Sequence, residues 1–288
     1  MHNHIKTKPL PHLKKVVLIG NPNVGKSLIF GYLTGRYATV SNYPGTTVEI
    51  TLGDLKTGSE TISLIDTPGI NSLTPISEDE RVVRDILLKE NISSVIQVMD
   101  AKNLERGLYI TTQVAEMGLP TLIVLNMMDE AQARGVDINI AALSKRLGVP
   151  IVPTIAIQRK GIERIKKEIQ NSCIPQVWVP YSQTVEESLD EIEEIMPNPH
   201  FSRFIGLSIL SGDRSLKENL ISSIPKNKLS FLDQLHHFSQ LSSKEYPISY
   251  FIGLKRLELA KDIAQKVSAT SFKSGSQVLE TLGRILRL

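Results

Sequence analysis

A mostly parallel, doubly wound α/β sheet followed by a small all-helical domain is what this sequence predicts, on three observations. Five short, largely β-branched apolar runs recur in the first 170 residues: "VVLIG" (16–20), "ISLID" (62–66), "SVIQVMD" (94–100), "TLIVLN" (121–126) and "PIVPTIA" (150–156). They have few alternating polar positions, the pattern of strands buried on both faces. Helical patterns lie between them, at Leu104 to Met117, Ile140 to Leu147 and "GIERIKKEI" (161–169), and strand–helix alternation of this kind closes into a parallel sheet covered on both sides. From about Cys173 to Val267 the pattern turns helical, as in "VEESLDEIEEIM", where Val185, Leu189, Ile192 and Met196 form one apolar stripe.

Composition narrows the class. The chain has 288 residues, 41% hydrophobic and 22% charged, as in ordinary globular proteins. A net charge of +3 is too small to argue for nucleic acid. The single Cys173 excludes an internal disulfide framework and suits a reducing compartment. No run of 18 apolar residues is present, so no segment is expected to cross a membrane. The start, with His2, His4 and His12, reads as a solvated tail over residues 1–13.

The first chemical motif follows the first strand. "GNPNVGKS", Gly20 to Ser27, satisfies G-x-x-x-x-G-K-[S/T] between a strand and a helix. Gly20 and Gly25 let the backbone curl so that the N–H groups of Asn21, Pro22's neighbours, Asn23, Val24 and on through Leu28 surround phosphate oxygens, with the helix dipole adding to the attraction. Lys26 is placed to reach the β- and γ-phosphates and the Ser27 hydroxyl to bind Mg2+.

The next stretch, "SNYPGTTVE" (41–49), reads as a polar loop. It contributes Gly45, Thr46, Thr47, Val48 and Glu49, and one of its threonines is expected to complete the Mg2+ shell when a γ-phosphate is present. Thr47 is the first choice and Thr46 the alternative, since spacing does not separate them.

"DTPG" then supplies the second phosphate corner. Asp66 ends a strand and holds Mg2+, while Thr67, Pro68 and Gly69 bring the Gly69 N–H to the γ-phosphate. After Gly69, many such proteins carry a glutamine that orients the attacking water. Here the residue is Ile70, which offers no hydrogen bond.

Base recognition is assigned to "NMMD" (126–129). The Asp129 carboxylate accepts from guanine N1 and N2, a donor pair that adenine lacks. Asn126 ties this loop to the phosphate loop, and the stems of Met127 and Met128 lie beside the base. After the last strand, the segment Ile155, Ala156 and Ile157 brings a backbone N–H near Ala156 to guanine O6. Together these motifs specify a P-loop GTPase fold acting on GTP to give GDP and phosphate.

The ordered set "GNPNVGKS", "NYPGTTVE", "DTPGINSLTPIS", "VMDAKNLERGLY", "NMMDEA" and "LSKRLGVPIVPT" resembles the cytosolic N-terminal region of the ferrous iron transport protein B family. The likeness runs strongly from residue 14 to about 170 and more weakly through "SRFIGLSILSGD" and "YFIGLKRLELAKDIAQKV". It departs at Thr67, where the family usually has leucine, and at Ile155, where it usually has serine. The resemblance implies a GTP-binding domain over 14–171, a helical domain over 172–267, and a basic segment over 268–288 leading toward an absent membrane region. It further implies a location at the cytoplasmic face of a bacterial inner membrane. The implied partners are guanine nucleotide, a transmembrane iron permease and small cytosolic Feo proteins, with self-association into a homo-oligomer left open.

Resemblance and residues both point to a potassium ion in place of the missing glutamine. Asn23 offers a neutral amide oxygen near the phosphates, and the backbone carbonyls around Ser41 and Tyr43 close over the same ion. Catalysis is then shared by Asn23, Thr47 and Gly69. The rivals are a potassium-activated GTPase of RNA modification or ribosome assembly, and an adaptor that binds nucleotide without hydrolysis. In the helical part, carboxylates on 186–194 read as a solvated face, and His236 and His237 lie on an expected helix over 229–241 with no partners spaced for a metal site.

Overall fold

The structure, a computed structural model, describes residues 13–35, 38–58, 60–196, 201–216 and 246–270. Among them, seven strands form one sheet in the order β2-β3-β4-β1-β5-β6-β8. The parallel part comprises β1 (Lys15–Gly20), β4 (Glu60–Asp66), β5 (Ile92–Asp100), β6 (Thr121–Asn126) and β8 (Ile151–Pro153). Alternation along β1 shows why it is central. Val16 and Leu18 pack into one core with α1 (Lys26–Thr34) and α6 (Ile162–Glu168), while Val17 and Ile19 pack into another with α2 (Glu78–Lys89) and α3 (Leu104–Glu116). Successive side chains point to opposite faces, so a strand covered on both sides must be apolar throughout. The chain passes from β1 to β4 on one side and returns to β5 on the other, which places the ligand-binding switch point beside β1.

Two features differ from the sequence reading. Residues 41–49 are not a loop throughout: β2 (Ala38–Asn42) pairs antiparallel with β3 (Glu49–Thr57), Ser41 opposite Ile50, extending the sheet past β4. β2 is exposed along its whole length, so no buried periodicity marks it. The run 150–156 yields only the short β8, because the Thr154 hydroxyl turns to the Asn126 side chain and Ala156–Gln158 close into a 3-10 turn.

The remaining helices are α4 (Met128–Ala133), α5 (Ile140–Leu147), α7 (Gln183–Ile195), α8 (Ser202–Leu210) and α9 (Ile248–Val267). The expected stripe on α7 is buried at Val185, Leu189 and Ile192, against Ile205 and Leu207 of α8 and Ile252 of α9. α9 joins two cores, Ile248 and Ile252 in the helical one and Ala260, Ile263 and Val267 in one shared with α3 and α5. After it, β9 (Ser268–Thr270) pairs antiparallel with β7 (Val136–Ile138). The expectations for His2, His4, His12, the 229–241 helix with His236 and His237, and the segment beyond 270 lie outside the described residues. Among the described residues no helix is long and apolar enough to cross a membrane, and no group of three or more His, Cys, Asp or Glu is placed to hold a metal.

Candidate functional site

The phosphate loop is held by its own backbone geometry. Asn23 and Gly25 take left-handed conformations at φ 64° and 86°. At Gly25 a Cβ would stand 2.5 Å from the Asn126 amide nitrogen, so glycine is required by conformation and by space. α1 starts directly after it with Lys26, its N-terminal N–H groups facing the loop.

"DTPGI" is stitched onto this loop. The Thr67 hydroxyl donates to the Leu18 carbonyl at 2.7 Å, the Ile70 N–H to the Gly20 carbonyl at 2.9 Å, and the Asn21 amide to the Ile70 carbonyl at 3.1 Å. At Gly69 a Cβ would meet the Pro22 backbone at 2.8 Å. Ile70 itself is fully buried among Val17, Ile19, Val83 and Ile86. The position that holds glutamine elsewhere therefore faces the core, and its side chain does not line the site.

One cavity of about 490 Å3 brings Ser27, Thr47 and Asp66 together with Lys26, Val48, Glu49, Thr67, Pro68 and Gly69. These three are the residues expected around Mg2+. Lys26, almost fully buried, donates to the Asp66 carboxylate and the Thr67 carbonyl. The two threonines differ in their bonding. Thr46 is tied up locally, its hydroxyl donating to the Tyr43 carbonyl at 2.9 Å and accepting from the Val48 N–H at 3.3 Å, whereas Thr47 is exposed on the cavity wall.

The alkali-ion set is not preassembled. The Tyr43 carbonyl accepts from both the N–H (3.0 Å) and the hydroxyl of Thr46, so both its lone pairs are used. Ser41 lies within β2, and Asn23, Ser41 and Tyr43 all stand outside the lining of the cavity. Burial, with Asp85 and Glu90 nearby, raises the Tyr43 phenol above its ordinary pKa and keeps it neutral.

The loop expected to read the base rests on Asn126. Its Nδ2 donates to the Val24 carbonyl at 2.9 Å, and its Oδ1 accepts from the Thr154 hydroxyl and the Ala156 N–H, both at 3.0 Å. The Ala156 N–H, expected at guanine O6, is thus committed to Asn126, and exposed Ile157 follows it. Ile155 is bonded in both directions to Lys160, a bridge that closes the loop. Met127 takes a left-handed conformation (φ 62°) that starts α4 and sets half-buried Asp129 in its first turn.

Several residues at the site were not singled out from sequence. Glu78 and Asp79 line the cavity. Buried Glu80 accepts from the N–H groups of Asn71 (3.1 Å), Ser72 (3.3 Å) and Ile76 (3.0 Å), fixing the loop after "DTPG". The signal was present as the capping box Ser77-x-x-Glu80, whose Ser77 hydroxyl accepts from the Glu80 N–H.

The family model described as ferrous iron transport protein B matches residues 14–169. The chain belongs to the ferrous iron transport protein B family. A Porphyromonas gingivalis Fe(2+) transport protein A/Fe(2+) transporter FeoB fusion protein is 37% identical over 225 residues, 74% of this chain and 27% of that protein. The Escherichia coli (strain K12) Fe(2+) transporter FeoB is 38% identical over 205 residues, 68% and 26% of the two chains. The chain therefore spans about a quarter of the length of these FeoB relatives. Among solved structures, the cytosolic domain of L. pneumophila FeoB aligns with TM-score 0.78 at 28% identity, covering 89% of this chain and 100% of that one. A mutant of S. thermophilus NFeoB bound to GDP aligns with TM-score 0.77 at 31% identity, with the same coverage.

Proposed function

We propose that this chain binds guanine nucleotide and hydrolyses GTP as the cytosolic part of a ferrous iron transporter, gating or coupling Fe(II) movement through a membrane permease. The observation that carries the reading is the convergence of Ser27, Thr47 and Asp66 with Lys26 and Gly69 on one cavity beside β1. Asn126 joins that cavity's phosphate loop to the loop bearing Asp129. GDP-bound relatives of the same fold agree with it.

The donor set suits the metals. Two hydroxyls and a carboxylate are hard oxygen ligands of the kind Mg2+ takes, and Asn23 offers the neutral oxygen that suits K+. When bound, the two cations supply positive charge against the charge that builds on the phosphoryl oxygens in the transition state. The protein's own groups do the positioning. Release of Lys26 from Asp66 and Thr67 frees an ammonium for the phosphates, Gly69 presents its N–H across from Pro22, and Asp129 accepts from the guanine edge. Release of the Tyr43 carbonyl from Thr46 is the rearrangement that lets the 43–48 segment close over the nucleotide. The location at the cytoplasmic face of an inner membrane, contact with small Feo proteins and any homo-oligomer follow from the family reading.

GTP turnover by this chain tests the proposal. Phosphate release that depends on Mg2+ and is lost in Lys26→Ala supports it, and GDP binding without turnover in any alkali salt restores the adaptor reading.

A further inference from the structure

The loop after Gly69 is held by α3 and, from beyond residue 171, by Arg256 of α9. The Leu73 N–H donates to Gln113 Oε1 of α3 at 2.8 Å, and Gln113 Nε2 donates to the Ser72 hydroxyl at 2.9 Å. The Thr74 hydroxyl accepts from Arg256 Nη1 at 3.2 Å, across 182 positions of sequence. Arg256 is 1% exposed. Its Nη2 and Nε donate to Glu116 of α3 at 2.7 and 3.1 Å, and Nε also donates to the Tyr181 hydroxyl at 3.1 Å. Tyr181 in turn donates to Glu116.

Arg256 lies on α9 between Ile252, in the helical core, and Ala260, in the core shared with α3 and α5. An arginine at 1% exposure carries a large desolvation cost, and an apolar side chain there would pack α9 without it. The ion pair with Glu116 satisfies two of its N–H directions. Of the three N–H groups left on the guanidinium, one on Nη1 donates to Thr74, a half-buried loop residue five positions after Gly69. Packing alone does not call for that bond.

We propose that Arg256 is a positioning residue for the nucleotide site: through Thr74 it fixes the 70–76 loop, and with it Gly69, in the register that hydrolysis needs. The helical region is thereby a working part of the GTPase. A displacement of α9 at its Arg256 turn loosens the catalytic loop, which gives α9 a direct hold on turnover. The inference rests on the GTPase reading above.

The variant that removes the bond is Thr74→Val, which deletes the acceptor of Arg256, together with a longer 3.4 Å contact from Gln113 Nε2, while leaving shape and the Arg256–Glu116 pair intact. Turnover number, KM, GDP affinity, thermal midpoint and amide exchange of residues 71–76 are measured against Thr74→Ser and the unaltered chain. The expected result is a turnover number lowered about tenfold, with KM, GDP affinity and thermal midpoint unchanged, faster exchange at Leu73, and recovery in Thr74→Ser. An unchanged turnover number overturns the proposal, as does a drop in thermal midpoint with unaltered turnover per folded molecule. If the unaltered chain binds GDP but does not turn over GTP, the GTPase reading fails separately. The exchange data then decide this point alone, and equal exchange at Leu73 in Thr74→Val and the unaltered chain overturns it.

Discussion

Asn126 and Val24 are 102 positions apart in sequence and 2.9 Å apart in the fold, side-chain amide to backbone carbonyl. That bond makes one unit of the loop that cradles phosphate and the loop that carries Asp129. In Asn126→Ala the Val24 carbonyl, the Thr154 hydroxyl and the Ala156 N–H lose a shared partner. Leaving a buried group unpaired costs about 1–3 kcal/mol, so GDP affinity should fall by about fivefold or more. Titration with a fluorescent GDP checks it, and unchanged affinity contradicts the joint-loop account.

Asp129 offers a sharper test of base choice. Asp129→Asn replaces an acceptor by a donor on the guanine edge, so GTP binding should weaken by about 1–3 kcal/mol while xanthosine triphosphate binding improves. Competition titration of the two nucleotides shows the reversal. An unaltered preference for GTP removes "NMMD" as the base reader.

Two glycines separate backbone strain from collision. Gly25 and Gly35 both have positive φ, at 86° and 74°, the first left-handed helical with ψ 17° and the second with ψ −142°, but a Cβ at Gly25 meets Asn126 whereas one at Gly35 meets nothing within 4 Å. Gly35→Ala should cost about 1–3 kcal/mol of stability and leave GDP binding intact. Gly25→Ala should cost more and also lose nucleotide affinity. Denaturant unfolding with GDP titration compares them, and equal behaviour contradicts the packing argument.

The Tyr181 hydroxyl predicts a pH dependence. Burial and the Glu116 carboxylate raise its pKa well above the ordinary 10.0. The folded chain therefore keeps this proton after the unfolded chain has lost it. Stability is unaffected by this group below pH 10 and falls above it, by up to about 1.4 kcal/mol per pH unit. Tyr181→Phe should remove that contribution to the slope. Urea unfolding at stepped pH values between 8 and 11 measures it, and identical slopes in the two chains contradict the assignment.

What the sequence revealed was what short-range rules govern. The phosphate loop, "DTPG" and "NMMD" each combine a strand end, a turn and a few polar residues, and each falls where its spacing predicts. The helix Ile140–Leu147 was readable to the residue because Asn139 caps its start and left-handed Gly148 ends it. The rest depended on partners far away in the chain. β2 is exposed on every residue, and only its pairing with β3 makes it a strand. Ile70 reads as a missing glutamine in sequence and is a core residue in the fold. The Arg256–Thr74 bond has no local signature, since an arginine on an amphipathic helix reads as solvated until the fold buries it.

The burial of Ile70 also shapes the central test. Ile70→Ala would open a cavity and cost about 2–5 kcal/mol, so Ile70→Val is the proper control for a residue with no chemical part in hydrolysis. The central claim is that a cation held by Asn23 supplies the charge that a side chain supplies elsewhere. The measurement is GTP turnover in KCl and in NaCl at equal ionic strength, for the unaltered chain, Asn23→Ala and Ile70→Val. The account predicts faster hydrolysis in KCl, a loss of about 10²–10³ in turnover number in Asn23→Ala with GDP affinity retained, and near-normal potassium activation in Ile70→Val. Full potassium activation in Asn23→Ala, or equal rates in the two salts for the unaltered chain, would contradict it.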